Sequence, residues 1–127
     1  MDKFHIDGSL PANGSVFVFG SNLAGRHGKG AALVAVKQYS AKYGVGIGIQ
    51  GMSYAIPTKD IRINTLPLSD IKPYVDSFIE FTKENPNLTF FVTSVGCGLA
   101  GYTPKQIAPM FKGAINCSFP ESWKQYI

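Results

Sequence analysis

The chain has 127 residues, 45% of them hydrophobic with 9 Phe and 6 Tyr, which suits a single domain over residues 1–127 with an aromatic core. Its net charge of +4 comes from scattered Lys and Arg with no basic run, which argues against a nucleic-acid tract and leaves a mild attraction for anions. No apolar stretch nears the roughly 18 residues of a membrane span, no signal-peptide core follows Met1, and Cys97 and Cys117 are too few for a structural zinc site, so a cytoplasmic protein with reduced thiols, no metal and no membrane partner is expected.

Residues 15–19 read as an inner strand that runs into a glycine-rich loop, Gly20-Ser21-Asn22-Leu23-Ala24-Gly25-Arg26-His27-Gly28-Lys29-Gly30. Residues 29–43 follow as a helix that is apolar nearly all round in its first half, with Gly44 as its stop. Gly46-x-Gly48-x-x-Gly51 leads towards a strand rather than a helix and reads as a rim loop or hairpin. Residues 54–58 form a short strand with a break near Pro57.

Ser69 is placed to cap the next helix, with Asp70 in its first turn. Ile71, Tyr74, Val75, Phe78, Ile79 and Thr82 form one stripe, and Asn85-Pro86-Asn87 ends the helix. Residues 88–95 read as a central strand. Its end opens into a second glycine loop, Val95-Gly96-Cys97-Gly98-Leu99-Ala100-Gly101-Tyr102. Thr103-Pro104-Lys105-Gln106 has the form of a capping box with Pro at the first helical position, Pro109 and Gly113 keep that helix short, and residues 114–117 supply a last strand. Strands alternating with helices predict an α/β fold.

Two glycine loops that leave neighbouring strands would line one crevice, where backbone N–H groups and helix N-termini attract anions; a pair of them suggests a diphosphate. Gly96-x-Gly98-x-x-Gly101 matches the dinucleotide fingerprint, but too little chain follows it for the second half of a dehydrogenase. Gly28-Lys29 is not a P-loop, because Leu23 stands where its first glycine belongs and Gly30 where Ser or Thr would hold magnesium.

The string Val95-Gly96-Cys97-Gly98-Leu99-Ala100-Gly101, with Lys29-Gly30-Ala31-Ala32 and Tyr54-Ala55-Ile56-Pro57-Thr58-Lys59 in the same order, resembles the macrodomains, and within them the branch of the terminal ADP-ribose glycohydrolase and related deacylases. The resemblance spans roughly residues 15–112 and implies a three-layer α/β/α sandwich around a mixed sheet. It also implies ADP-ribose or an ADP-ribosylated substrate, nucleic acid included, as the partner, with no further cofactor. The diphosphate would lie between Gly28, Lys29, Gly30 and Ala31 on one side and Gly96, Cys97, Gly98, Leu99, Ala100 and Gly101 on the other, with Gly20, Ser21 and Val95 beside them. Asn22 and Tyr102 would face the distal ribose, and Asp7 the adenine.

Hydrolysis is a separate question, since the fold binds ADP-ribose with or without cleaving a bond to it. The branch's hydrolases use an Asp in the second loop and a Lys on a preceding strand. Here Ala100 holds the Asp position and residues 46–51 contain no Lys. What remains is a route in which Asn22 orients a water and His27 acts as base, with Cys97 either a small residue that lets the backbone approach phosphate or a thiol activated by the nearby helix. The leading expectation is a module that binds ADP-ribose or a related nucleotide diphosphate. The alternatives are an ADP-ribosyl hydrolase acting on protein, nucleic acid or a small metabolite, and a structural or interaction domain in which both loops are only turns.

Overall fold

A computed structural model describes residues 1–12 and 14–127. Its centre is a six-stranded mixed sheet in the order β1-β6-β5-β2-β4-β3, made of β1 (Phe4–His5), β2 (Val16–Asn22), β3 (Gly48–Gln50), β4 (Ser53–Lys59), β5 (Phe90–Val92) and β6 (Cys117–Pro120). All neighbouring strands run parallel except β3, which pairs antiparallel with β4. The helices are α1 (Gly30–Gln38), α2 (Leu68–Glu84) and α3 (Pro104–Ile107), with 3-10 turns at Ala108–Phe111 and Glu121–Tyr126. Among the described residues no helix is long and apolar enough to cross a membrane.

Both faces of the sheet are buried, which is why β2 reads as unbroken Val-Phe-Val-Phe rather than as an apolar-polar alternation. Phe17 and Phe19 point to one face, where they meet Ala55, Phe91 and the small residues Ala32 and Ala35 of α1. Val16 and Val18 point to the other, with Tyr54, Ile56, Phe90 and Val92, under Ile71, Val75, Phe78 and Ile79 of α2 and under Phe111 and Trp123. Two helical layers thus enclose the sheet, an α/β/α sandwich.

The strand order fixes where a ligand can sit. From β2 the chain passes through α1 towards β4 on one side, and from β5 it passes through α3 to β6 on the other. The neighbours β2 and β5 therefore flank the point where the winding reverses, and the crevice outside their carboxyl ends is the usual place for a ligand in such sheets.

Several elements differ from the sequence expectation. Helix α1 ends at Gln38, short of residue 43, because the N–H groups of Tyr39 and Ala41 both donate to the Ala35 carbonyl, at 2.9 and 3.1 Å, around Ser40 at φ 60°. Ser69 lies inside α2 rather than capping it. The extended Pro67, with ψ 153°, starts the helix, and its carbonyl takes the N–H of Asp70 at 2.9 Å. Strand β2 runs on to Asn22 because β4 keeps pairing with it to Lys59, and Pro57 falls beside the bulge between Ser21 and Asn22, where its missing donor is tolerated. Strand β5 stops at Val92, where the Thr93 N–H and hydroxyl both turn onto the Val18 carbonyl. The last strand is β6, which shares only Cys117 with the expected residues 114–117, because Ala114 closes a turn onto Phe111 and Asn116 takes φ 55°.

Candidate functional site

The first loop is closed by Asn22, at the end of β2. Its side-chain oxygen accepts the Arg26 N–H at 2.9 Å and its amide donates to the Arg26 carbonyl at 2.9 Å, while Gly25 takes φ 69°. This loop rests on residues 44–46. The Gly44 N–H donates to the Gly25 carbonyl at 2.8 Å, the Ser21 hydroxyl to the Gly46 carbonyl at 2.5 Å, and His27 Nε2–H to the Val45 carbonyl at 2.8 Å. The approach is so close that a Cβ on Gly46 would lie 2.1 Å from the Asn22 carbonyl oxygen. The segment read as a rim loop or hairpin is therefore both: Gly48–Gln50 forms the hairpin strand β3, and the glycines before it seat the first loop.

The second loop leaves β5 and turns at Gly96, φ 74°, and Gly101, φ 87°. Inside it the Cys97 N–H donates to Ser94, Gly101 N–H to Gly98 and Tyr102 N–H to Gly96, at 3.0, 3.0 and 2.9 Å. This loop packs beside β2, where a Cβ on Gly20 would lie in ordinary contact, 3.5 Å, with the Gly96 nitrogen. Thr103 then starts α3, its N–H donating to the Gln106 side chain at 2.9 Å as the capping box predicts.

Both loops border one cleft of about 740 Å³, a size that holds a drug-sized ligand. Among the described residues, the N–H groups of Gly98, Leu99 and Ala100 and those of Gly30, Ala31 and Ala32 in the first turn of α1 have no partner within the chain. Among the described residues Arg26, Lys29 and Lys59 line the cleft and no Asp or Glu does. The ion pairs among the described residues, Lys72 with Asp76 and Lys83 with Glu80, are on α2, so these three cations are unpaired. The opposite end is apolar, with Leu10, Phe17, Val34, Phe91 and Pro120 around His5. The His5 ring stacks on Phe91 at 3.7 Å and its Nδ1 bonds the Ser118 hydroxyl at 2.9 Å; burial holds its pKa below the ordinary value, partly offset by Asp7.

Of the residues the sequence singles out, Gly20, Ser21, Asn22, Gly28, Lys29, Gly30, Ala31, Val95, Gly96, Cys97, Gly98, Leu99 and Ala100 line this cleft. Gly101 and Tyr102 do not: Gly101 closes the loop behind it, and the Tyr102 hydroxyl donates to the Leu66 carbonyl at 2.5 Å, away from the ribose position expected of it. Asp7 is also off the lining, because its carboxylate takes the Ser122 N–H at 3.0 Å and the Ser122 hydroxyl, tying the N-terminal segment to the final 3-10 turn.

His27 does not face the cleft. It is 1% exposed between Phe19 and Tyr43, outside the lining, and donates to Val45, so it packs the first loop rather than facing a substrate as base. Cys97 is not activated by α3; burial pushes its thiol up to about 11 despite the nearby Trp123 indole. Both polar ends of the Asn22 amide engage Arg26, which leaves it a loop-closing part.

Sequence reasoning missed Arg26 and Lys59 as cleft residues, although Arg26 lies inside the first loop and Lys59 ends the strand that borders it. It also missed His5, Phe17 and Phe91, which carry no motif and meet only through the sheet. Comparison with family models, with characterised proteins and with solved structures gives no match for this chain.

Proposed function

We propose that the cleft binds ADP-ribose or a closely related nucleotide diphosphate, as a module of macrodomain type. The observation that carries this reading is the convergence of unpartnered N–H groups from both glycine loops on a cleft lined by three unpaired cations and no carboxylate. Such donors have their best partner in an anion with several acceptor oxygens, and the α1 dipole adds roughly half a positive charge at Gly30–Ala32. The diphosphate lies between the loops beside Lys29, the distal ribose points to Asn22, and the apolar end around His5, Phe17 and Phe91 takes the base in place of Asp7.

Binding without hydrolysis is the favoured form of this reading. Ala100 and the absence of any lining carboxylate remove the usual acid, and His27 and Cys97 have the burial described above. Isothermal titration with ADP-ribose, AMP and NAD tests the binding. Heat for ADP-ribose is expected, and its absence at concentrations that detect a Kd of roughly 100 μM, about −5.5 kcal/mol, refutes it. In parallel, release of ADP-ribose from modified Glu, Ser and Thr and from modified DNA is expected to be nil; turnover by the wild type on any of them would establish the hydrolase instead.

A further inference from the structure

Resting on the reading of the cleft as an ADP-ribose site, we propose that Ile63 is a specificity-determining residue: its side chain is the apolar wall against which the distal ribose packs, and it sets the preference for ADP-ribose over the bare nucleotide diphosphate. Strand β4 ends at Lys59, the register partner of Asn22, and the chain then turns through residues 60–64 and returns to bridge Lys59 at Thr65. The Thr65 hydroxyl donates to the Ala100 carbonyl at 3.1 Å, which ties this turn to the second glycine loop. Ile63 lines the cleft from the turn, at the same end as Asn22. Its neighbours Ile61, Arg62, Asn64 and Thr65 are exposed, whereas Ile63 is half-buried.

The fold itself does not call for an isoleucine here. Ile63 takes φ 67°, in the left-handed region, where a β-branched side chain is strained. Ser40 and Asn116 share that backbone geometry with small or polar side chains, and the Asn116 amide donates to the Pro86 carbonyl at 3.0 Å. Ile63 belongs to neither hydrophobic cluster of the core. The turn is held by main chain and by Asp60: the Asp60 N–H donates to the Asn64 carbonyl at 2.8 Å and the Ile63 N–H to the Asp60 carbonyl at 3.0 Å, while the Asp60 carboxylate accepts the N–H groups of Arg62 and Asn64 at 2.8 and 3.0 Å. Glycine or asparagine at 63 would make the same bonds with less strain. An apolar side chain kept in a strained conformation, outside the core and on the wall of a cleft, gains its burial from a ligand. A ribose is suited to it, since its ring turns C–H groups to one side while its hydroxyls reach polar partners on the other.

The test is titration calorimetry on the full chain with ADP-ribose and with ADP, which lacks the distal ribose, for wild type and for Ile63→Gly, Ile63→Asn and Ile63→Val, each with a thermal melt. Ile63→Gly and Ile63→Asn are expected to weaken ADP-ribose by about fivefold or more while leaving ADP within about twofold, and Ile63→Val, which keeps an apolar wall, to hold ADP-ribose within about threefold. The glycine and asparagine variants should melt at or above the wild-type temperature, so that affinity falls while stability does not. A Tm more than about 3 °C lower in both variants makes Ile63 a packing residue and overturns the proposal. Equal losses for ADP and ADP-ribose, an unchanged ADP-ribose affinity, or a loss confined to Ile63→Gly, which traces to chain flexibility, overturn it too. All of these leave the ADP-ribose reading standing, whereas a wild type that does not bind ADP-ribose overturns that reading as well.

Discussion

Gly98→Glu isolates the contribution of the second loop to anion binding. A Cβ at Gly98 meets no atom within 4 Å and its φ is outside the left-handed region, so a side chain there is tolerated and projects into the cleft that Gly98 lines. A carboxylate about 5 Å from one phosphate charge repels it by about 0.8 kcal/mol at a dielectric of ~80 and about 3 kcal/mol at ~20. Two phosphate charges in a half-open cleft therefore lose at least about 1.5 kcal/mol, more than tenfold in Kd. Gly98→Gln, of the same shape without the charge, separates repulsion from bulk, and the gap between the two variants should narrow with salt as the Debye length falls from about 10 Å at ~0.1 M to about 3 Å at ~1 M. Calorimetry with ADP-ribose reads the affinities and thermal unfolding checks that all three proteins are equally folded. If Gly98→Glu binds ADP-ribose within twofold of wild type, the second loop does not face the anion and the site has been wrongly assigned.

Other substitutions test the scaffold. Gly46→Ala forces a methyl against the Asn22 carbonyl, backbone that has no rotamer to yield, and should cost about 3 kcal/mol and some 10 °C in Tm by thermal melt, with the first loop lost as a ligand seat. Asp7→Ala removes the cap on the Glu121–Tyr126 turn and should lower stability by about 1 kcal/mol in urea, non-additively with Ser122→Ala. His5 has a pKa below 6.5 in the fold because burial disfavours its charged form, so the unfolded chain binds its proton first; the stability it contributes is complete above pH 6.5 and is lost as pH falls below it. The urea midpoint of wild type should drop between pH 7.5 and 5.5, and less steeply for His5→Asn. With Cys97 raised to about 11 from 9.0 and Cys117 to about 12, both by burial, alkylation of the native protein at pH 8 should be about a hundredfold or more slower than in urea; fast native labelling would contradict their placement.

The elements legible in the sequence are those whose information is local. The α2 stripe of Ile71, Val75, Phe78, Ile79 and Thr82 is buried as its spacing requires, and the Thr103–Gln106 box and Pro109 fix a short helix without help from distant residues. The end of α1 was not legible, because Ala31–Val36 is apolar on nearly every side and carries no periodic signal to stop. Its end is set by Ser40 and by contacts from Gly25 and Gln50 that hold residues 42–44 as a turn. The cleft divides in the same way. Its glycine loops follow from backbone geometry written in consecutive residues, whereas His5 enters only because a two-residue strand pairs with β6, at Phe119 and Pro120. Arg26 and Lys59 carry no motif; the Asn22 side chain holds the backbone of the one, and the register of β2 with β4 sets the other opposite the same asparagine.

The loop Asn22–Gly30, closed from within by Asn22 and Arg26, is also held by layers behind it. Residues 44–46 hold it through Gly44, Val45 and Gly46, and Gln50 extends that support by accepting the Lys42 N–H at 2.8 Å and donating to the Val45 carbonyl at 2.9 Å. Val45 therefore receives both His27 and Gln50 on one carbonyl, with His27 buried under Tyr43, itself a cleft residue. A loop fixed this way presents the first-turn amides of α1 to a ligand without first ordering itself, which removes an entropic penalty of about 1–2 kcal/mol for each residue that would otherwise have to be fixed. Gly46 is required by close approach to that loop and Gly44 by its φ of 96°, whereas a Cβ at Gly28 or Gly98 meets open space. The glycine that seats the first loop and the glycine of the second loop thus do different work, and substitutions separate them: Gly46 changes stability and affinity together, whereas Gly98 changes affinity alone.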